Sequence, residues 1–170
     1  MNRLILALST ILFLAACNNS PSAKNLNVAQ EEPDVINIAP DDADMNKAIR
    51  NANTHFYRFR EALADTNSNY SDFAIKMRFQ IGQESGEHIW LNNIVQNDSG
   101  YYGIVNNVPV NITTVKYGDR VKIIKEDISD WSFMDGDTLR GGYTIKALRS
   151  RMNKNEKDEF DRDYGIIFEP

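Results

Sequence analysis

Apolar residues in the first part of the chain recur at the spacing of an α-helix. The stripe has steps of three and four residues and consists of Met45, Ile49, Ala52, Phe56, Phe59 and Leu63. That spacing places all of them on one face of a helix. An acid at Asp41, Asp42 or Asp44 can cap the first turn, where negative charge also suits the helix dipole. The pattern predicts one continuous amphipathic helix that faces the core.

A period of two replaces the helical spacing after Asn69. Alternate residues from Phe73 to Ile81 are apolar, which is typical of a half-buried antiparallel strand. Further strands are predicted over 88–95, 101–105, 121–123 and 138–144, and short helices over 145–152 and around 156–160. The order of elements predicts an α+β fold, with the N-terminal amphipathic helix packed on a small antiparallel sheet or open barrel and with short C-terminal helices.

The chain begins with the features of an export signal. A short basic start precedes an apolar run from Leu4 to Ala16. A membrane-spanning helix needs about 20 apolar residues, so this shorter run has the length of a signal-peptide core. The run ends in Leu-Ala-Ala before Cys17. This ending resembles the lipobox of bacterial lipoproteins, which implies cleavage before Cys17, a diacylglycerol on its sulfur and an acyl chain such as palmitate on its new amino group. An ordinary secretory signal is the alternative.

The lipid on Cys17 predicts an address in the cell envelope. Two or more acyl chains hold a protein on a membrane stably, whereas one does so only marginally. The residue directly after the cysteine is Asn18 and not an aspartate. In enteric-type envelopes this pattern is similar to lipoproteins of the outer membrane, so in a Gram-negative organism we expect the domain to face the periplasm from that membrane.

The acidic charge of the chain lies mostly before Met45. The segment from Asn18 to Asp44 has one base and six acids, whereas the rest of the chain has 17 bases and 18 acids. The segment also lacks aromatic residues, which is typical of a flexible linker. We therefore predict a signal peptide over 1–16, the lipidated cysteine and an acidic tether over 17–40, and one globular domain over 41–170. The nearly neutral chain from Met45 onward argues against nucleic acid as a partner.

One group of motifs resembles the YegJ-like bacterial lipoproteins, a family with a domain of unknown function. The group consists of Phe59, Phe79, the run Glu87-His88-Ile89-Trp90, Gly103, Pro109, Gly118, the pair Asp130-Trp131 and the run Gly141-Gly142-Tyr143-Thr144. The resemblance extends from about Met45 to the C-terminus. It implies the limits of the domain and its envelope setting, but it implies no reaction, cofactor or catalytic residue.

Three interpretations of these motifs remain open. In the first, the aromatic residues and glycines only pack the core, as such residues usually do. In the second, His88 and Trp90 share an exposed strand face, opposite Ile89 and Leu91, and form a binding surface with Trp131 and Tyr143. In the third, Glu87 or Asp130 acts as a base and His88 as an acid in a hydrolase.

The sequence has no spacing that is typical of a metal or cofactor site. Its histidines are His55 and His88, and its one cysteine is Cys17. The acids at Asp127, Asp130, Asp135 and Asp137 lack the spacing of a calcium loop and are interpreted as turn formers and solvated charge. No phosphate-binding glycine loop, dinucleotide fingerprint or nucleophile motif is present. We expect no metal and no cofactor.

The leading functional hypothesis is a membrane-anchored, non-enzymatic module that binds an envelope protein or peptide. An envelope hydrolase that uses Glu87, His88 and Asp130 is the first alternative. An immunity-type inhibitor that blocks an incoming toxin is the second. The anchor and the absence of a catalytic motif favour binding, and the sequence does not separate these hypotheses further.

Overall fold

The computed structural model describes residues 41–83 and 85–169. The predicted signal peptide, the lipidation site at Cys17 and the tether up to residue 40 lie outside the described residues. Within the described ranges, none of the helices has the length and apolar character needed to cross a membrane.

Four α-helices, one short 3₁₀ helix (Lys125–Asp127) and seven strands are the regular elements of the described part of the chain. The helices are α1 (Ala43–Thr54), α2 (Phe56–Ala64), α3 (Tyr143–Arg151) and α4 (Lys154–Tyr164). The strands are β1 (Tyr70–Ile81), β2 (Ser85–Asn97), β3 (Gly100–Val105), β4 (Arg120–Lys122), β5 (Ile128–Asp135), β6 (Thr138–Gly141) and β7 (Ile167–Phe168). They form a single sheet in the order β4-β3-β2-β1-β5-β6-β7.

The predicted fold, one N-terminal helix on a small antiparallel sheet or open barrel, is wrong. The sheet has seven strands and is mixed, because β6 and β7 run parallel while the other neighbours run antiparallel. Its outermost strands, β4 and β7, stand at opposite ends of the strand order, so the sheet is open and does not close into a barrel. The C-terminal segment joins the sheet as well as forming helices.

The predicted continuous helix is two helices, because the backbone leaves helical geometry at His55. His55 has φ of -101° and ψ of 11°, and its N–H donates to the carbonyl of Asn51. Arg58 N–H then donates to the His55 carbonyl at the start of α2. The apolar stripe continues across the break with helical spacing, so periodicity alone does not reveal a change at one residue.

The core lies between helices α1 and α2 and one face of the sheet. Its largest fully buried side chains include Trp131 and Phe59, whose ring centroids are 5.9 Å apart. The indole Nε1–H of Trp131 donates to the Ala52 carbonyl on α1 at 2.8 Å. Burying a large apolar side chain contributes about 1.5–3 kcal/mol. This contact therefore fixes α1 on the sheet and satisfies the one polar atom of the indole.

Strand β5 lies near the middle of the sheet, yet period-two alternation does not identify it. Six consecutive residues from Ile128 to Phe133 are buried, including the polar Ser129, Asp130 and Ser132. Alternation of polar and apolar residues is typical of a strand that has one face in solvent and one face in the core. Strand β5 instead has polar residues in the interior. The hydrogen bonds of the Ser129 and Asp130 side chains replace the water that such residues normally require.

Candidate functional site

The two faces of the central strands differ in what covers them. Ile75 and Ile89 lie on the face that packs against α1 and α2, which we call the inner face. The opposite face of the same strands is called the outer face. It is defined by Lys76, His88, Trp90, Tyr102, Arg120 and Lys122. His88 and Trp90 therefore lie together on one face, as alternation along a strand predicts.

His88 is exposed to solvent, but Nδ1 of its ring has a hydrogen-bond partner. Its Nδ1 lies 2.8 Å from the hydroxyl of Ser129, and that hydroxyl donates to the Lys76 carbonyl at 3.2 Å. Loss of water around the ring, together with the positive charges of Lys76 and Arg78, lowers the pKa of His88 from 6.5 to about 4. The imidazole is therefore neutral near pH 7.

Trp90 is half-buried and lies directly across from Lys76 on the neighbouring strand. The Lys76 ammonium is 5.4 Å from the centroid of the Trp90 ring, within the range of a cation–π interaction. The backbone N–H of Trp90 donates to the Asn107 side chain at 2.8 Å. Packing against a cation orients the indole while part of its surface stays accessible.

Trp131 and Tyr143 do not join His88 and Trp90. Trp131 is 0% exposed and lies on the inner face, where it pairs with Ile75 in register. Tyr143 is half-buried, packs edge-on against Trp131 at 5.6 Å and stacks on His55 at 5.7 Å. The four residues predicted to form one exposed surface are thus divided, because Trp131 pairs with the inner-face Ile75 and Tyr143 begins helix α3.

Asp130 is fully buried and serves the start of α3. Its carboxylate accepts from the backbone N–H groups of Trp131, Tyr143 and Thr144, and from the Thr144 hydroxyl at 2.6 Å. Burial raises the pKa of Asp130, while the hydrogen bonds from Thr144 and Trp131 and the charge of Lys76 oppose that rise. Four donors occupy this carboxylate, so its evident role is to hold α3 against β5.

The hydrolase constellation of Glu87, His88 and Asp130 does not assemble. The two oxygens of Glu87 accept from the backbone N–H groups of Val110 and Asn111, each at 2.8 Å, which fastens the loop after β3. Glu87 and His88 are adjacent on β2 and therefore point to opposite faces. General acid–base catalysis needs its groups within reach of one substrate, and these carboxylates instead serve backbone donors.

A second charged cluster surrounds Glu169, which the sequence analysis did not single out. Its carboxylate pairs with Arg58 at 2.8 Å, with Lys146 at 3.4 Å and with Arg140 at 3.5 Å, and it accepts from the Gly141 N–H at 3.1 Å. Burial alone would raise the pKa of Glu169, but these donors and charges lower it to about 2. The cluster joins the C-terminal end of the described chain to α2, β6 and α3.

A shallow groove of about 460 Å³ between α3 and α4 is separate from the predicted site. Its lining consists of Leu148, Arg151, Met152, Glu156, Glu159, Phe160, Asp163 and Tyr164. None of the residues singled out from the sequence is among them. Across residues 41–83 and 85–169, no group of three or more His, Cys, Asp or Glu side chains is arranged to hold a metal ion.

Sequence reasoning missed Tyr102, Arg120 and Lys122 on the outer face. Tyr102 pairs in register with Lys122, and the Arg120 guanidinium lies 4.9 Å from the centroid of the Tyr102 ring. The short run Arg-Val-Lys at 120–122 has two bases that flank an apolar residue, which places both bases on one face if the run is a strand. Its neighbour in the sheet was not evident from so short a run.

Comparisons with other proteins agree on the family. The profile of DUF2314, described as an uncharacterized protein conserved in bacteria, matches residues 42–168. The chain is 31% identical to the uncharacterized protein YegJ of Escherichia coli K12 over 163 residues, which cover 94% of this chain and 95% of that protein. No solved structure is significantly similar to the chain.

A second relative is longer than this chain. A putative ankyrin repeat protein of Neisseria meningitidis serogroup B is 36% identical over 134 residues, which cover 75% of this chain. The match spans 53% of that relative, about half of its length. The matched family profile and the nearly full-length similarity to YegJ lead to one conclusion: the chain belongs to the YegJ-like DUF2314 family of bacterial proteins.

Proposed function

We propose that this protein is a membrane-anchored envelope lipoprotein whose domain is a non-enzymatic binding module. The anchor is the lipid expected on Cys17, and the binding surface is the outer face around His88 and Trp90. The observation that carries the proposal is the contrast between the two tryptophans. Trp131 is fully buried among core aromatics, whereas Trp90 is half-buried on the face opposite α1 and α2. Partly exposed tryptophan and arginine are the residues most enriched at binding hot spots.

The engagement of the acidic groups supports binding over hydrolysis. Glu87 fastens a loop and Asp130 caps α3, so each has a structural task that accounts for its hydrogen bonds. His88, with its pKa lowered to about 4, is neutral near pH 7 and has a serine hydroxyl as its hydrogen-bond neighbour. A neutral imidazole beside an indole suits recognition of a protein or peptide. An immunity-type inhibitor is one form of such a binding module. Identification of the partner as a toxin would distinguish this form from the others.

The anchor is tested by changing Cys17 to Ser. Labelled palmitate incorporated by the native chain in cells should be absent from the Cys17→Ser chain, and the native chain should fractionate with membranes. Equal labelling of both chains would contradict the lipidation proposal. If the Cys17→Ser chain fractionates with membranes to the same extent as the native chain, the lipid is not the anchor.

The binding surface is tested by site-specific photocrosslinking in cells. A photoreactive amino acid replaces Trp90 in one chain and the exposed Glu61 of α2 in a matched control. We expect a discrete crosslinked product from position 90 and none from position 61. We expect Trp131→Ala to unfold the domain; if Trp90→Ala also unfolds it, Trp90 belongs to the core and the surface proposal is wrong.

A further inference from the structure

The outer face carries two exposed cations, Arg120 and Lys122, that form no ion pair with a described carboxylate, and a third, Lys76, that lies across from the buried Asp130. Across the described ranges, the ion pairs within 4 Å involve neither Lys76, Arg120 nor Lys122. Arg120 and Lys122 are exposed. By contrast, the cations around Glu169 converge on that one carboxylate. The charges of that cluster are therefore compensated within the chain, whereas Arg120 and Lys122 have no such partner among the described residues.

The cations of the outer face lie beside aromatic and apolar side chains. In register, Lys122 pairs with Tyr102, and Tyr102 pairs in turn with the exposed Val95. Arg120 lies over the Tyr102 ring and Lys76 lies over the Trp90 ring. Lys76 is the least available of the three, because its Nζ lies 3.5 Å from the Thr144 hydroxyl and it interacts with the buried Asp130. Of these three cations, Arg120 and Lys122 are the two whose side chains are exposed to a partner.

We infer that the outer face binds an acidic segment of a partner protein, whose carboxylates meet Arg120 and Lys122 and whose apolar side chain meets Trp90. The inference rests on the proposed binding function and adds the chemistry of the partner. Complementary charge guides association and discriminates against wrong partners, while aromatic residues supply contact area. Both kinds of group are present on this face, and the arginine is already stacked on an aromatic ring.

A protein fits this surface better than an extended polyanion does. From Met45 onward the chain has 17 bases and 18 acids, so it has no net positive charge to attract a nucleic acid or an anionic membrane. Binding to a phosphate backbone typically uses many cations along a track. Two exposed cations on the three-residue strand β4, beside the ring of Tyr102, match a small number of carboxylates around an apolar residue.

The test uses the full chain in detergent and a glutamate–tyrosine copolymer as the probe. Trp90 fluorescence, excited where tyrosine does not absorb, reports binding, and Trp90→Phe verifies the origin of the signal. We expect saturable binding that weakens at least tenfold when Arg120 and Lys122 are both changed to Glu. Lys47→Glu with Arg50→Glu is the matched control, since it changes net charge equally at exposed positions of α1 and should bind as the native chain does.

Three outcomes would overturn the inference. The first is a failure of the copolymer to bind. The second is an equal loss of binding in both double variants, each with the circular dichroism of a native fold. The third is binding of phosphatidylglycerol vesicles or of a 20-nucleotide single-stranded DNA, dependent on Arg120 and Lys122, in place of the copolymer. Crosslinking from position 90 separates the proposed binding function from the proposed acidic partner. A crosslinked partner without copolymer binding would support the binding function and contradict only the acidic chemistry of the partner.

Discussion

Asp130 and Thr144 are 14 positions apart in the sequence and are joined by two hydrogen bonds in the interior. The backbone N–H of Thr144 donates to Asp130 Oδ2 at 2.7 Å and its hydroxyl donates to the same oxygen at 2.6 Å. The residue before α3, Gly142, has no side chain that could cap the helix. Asp130 on β5 supplies the missing acceptor, so one carboxylate caps α3 and fastens it to the sheet.

Removing this carboxylate should destabilise the domain strongly. Asp130→Ala leaves the N–H groups of Tyr143 and Thr144 without their acceptor in a buried site, and we expect a loss of about 3–5 kcal/mol in the free energy of unfolding. Urea denaturation followed by circular dichroism measures it. Asp163→Ala, at an exposed position of α4, should change stability by less than about 0.5 kcal/mol. Similar midpoints for the two variants would refute the capping role.

A side chain at Gly141 should disrupt the packing of Trp131. Gly141 has φ of +75°, and a Cβ there would lie 2.3 Å from the Trp131 carbonyl oxygen and 2.5 Å from its ring. Gly136 has φ of +57° with no atom within 4 Å of such a Cβ. Gly136→Ala should therefore cost only the backbone strain, about 1–2 kcal/mol, whereas Gly141→Ala should cost about 3–4 kcal/mol because overpacking adds to it.

Thermal unfolding of the two glycine variants measures this difference directly. The Gly141→Ala chain should also lose near-ultraviolet circular dichroism from Trp131, while Gly136→Ala retains it. Equal melting temperatures for the two variants would show that strain alone matters at Gly141 and that its closeness to Trp131 does not.

The Glu169 cluster should make stability depend on pH in the acid range. The pKa of Glu169 is about 2 in the folded chain against 4.5 ordinarily, so the folded state binds its proton less tightly. Its contribution is complete above pH 4.5 and is lost as the pH falls from 4.5 towards 2. Because Arg58 and Arg140 are about one-third exposed, we expect a contribution of only about 1–2 kcal/mol.

Comparison with Glu169→Gln isolates that contribution. Urea denaturation between pH 6 and pH 3 should show the native chain losing its advantage over the variant as the pH falls. The other carboxylate with a pKa of about 2, Asp42, is present in both chains and cancels in the difference. A constant difference across this range would contradict the role assigned to Glu169.

His88 should titrate well below an ordinary histidine. Its pKa of about 4 follows from loss of water around the ring and from the charges of Lys76 and Arg78. Between pH 4 and pH 6.5 the unfolded chain binds this proton more tightly, so acidification through that range favours unfolding. Nuclear magnetic resonance of the imidazole protons gives the midpoint. A midpoint at or above 6.5 would contradict the lowering of the His88 pKa by burial and by these two charges.

Alternation along the chain located the central hairpin, and it assigned His88 and Trp90 to one strand face. These inferences succeed because the side chains of a strand alternate between two environments, a property that is written locally in the order of residues. The family resemblance was also visible in the sequence, since it depends on residues at fixed spacings. The export signal and Cys17 remain sequence-based predictions, because they lie outside the described residues.

Tertiary structure alone decided which residues meet across long separations. Trp131 and Trp90 are the same type of residue. Trp131 on β5 nevertheless lies in the core, whereas Trp90 on β2 lies on the outer face. The parallel pairing of β7 with β6 and the ion pairs of Glu169 bring the C-terminal end to α2. Such contacts depend on chain topology and on burial, which local periodicity does not encode, and they determine both the mixed sheet and the uncompensated charge of the outer face.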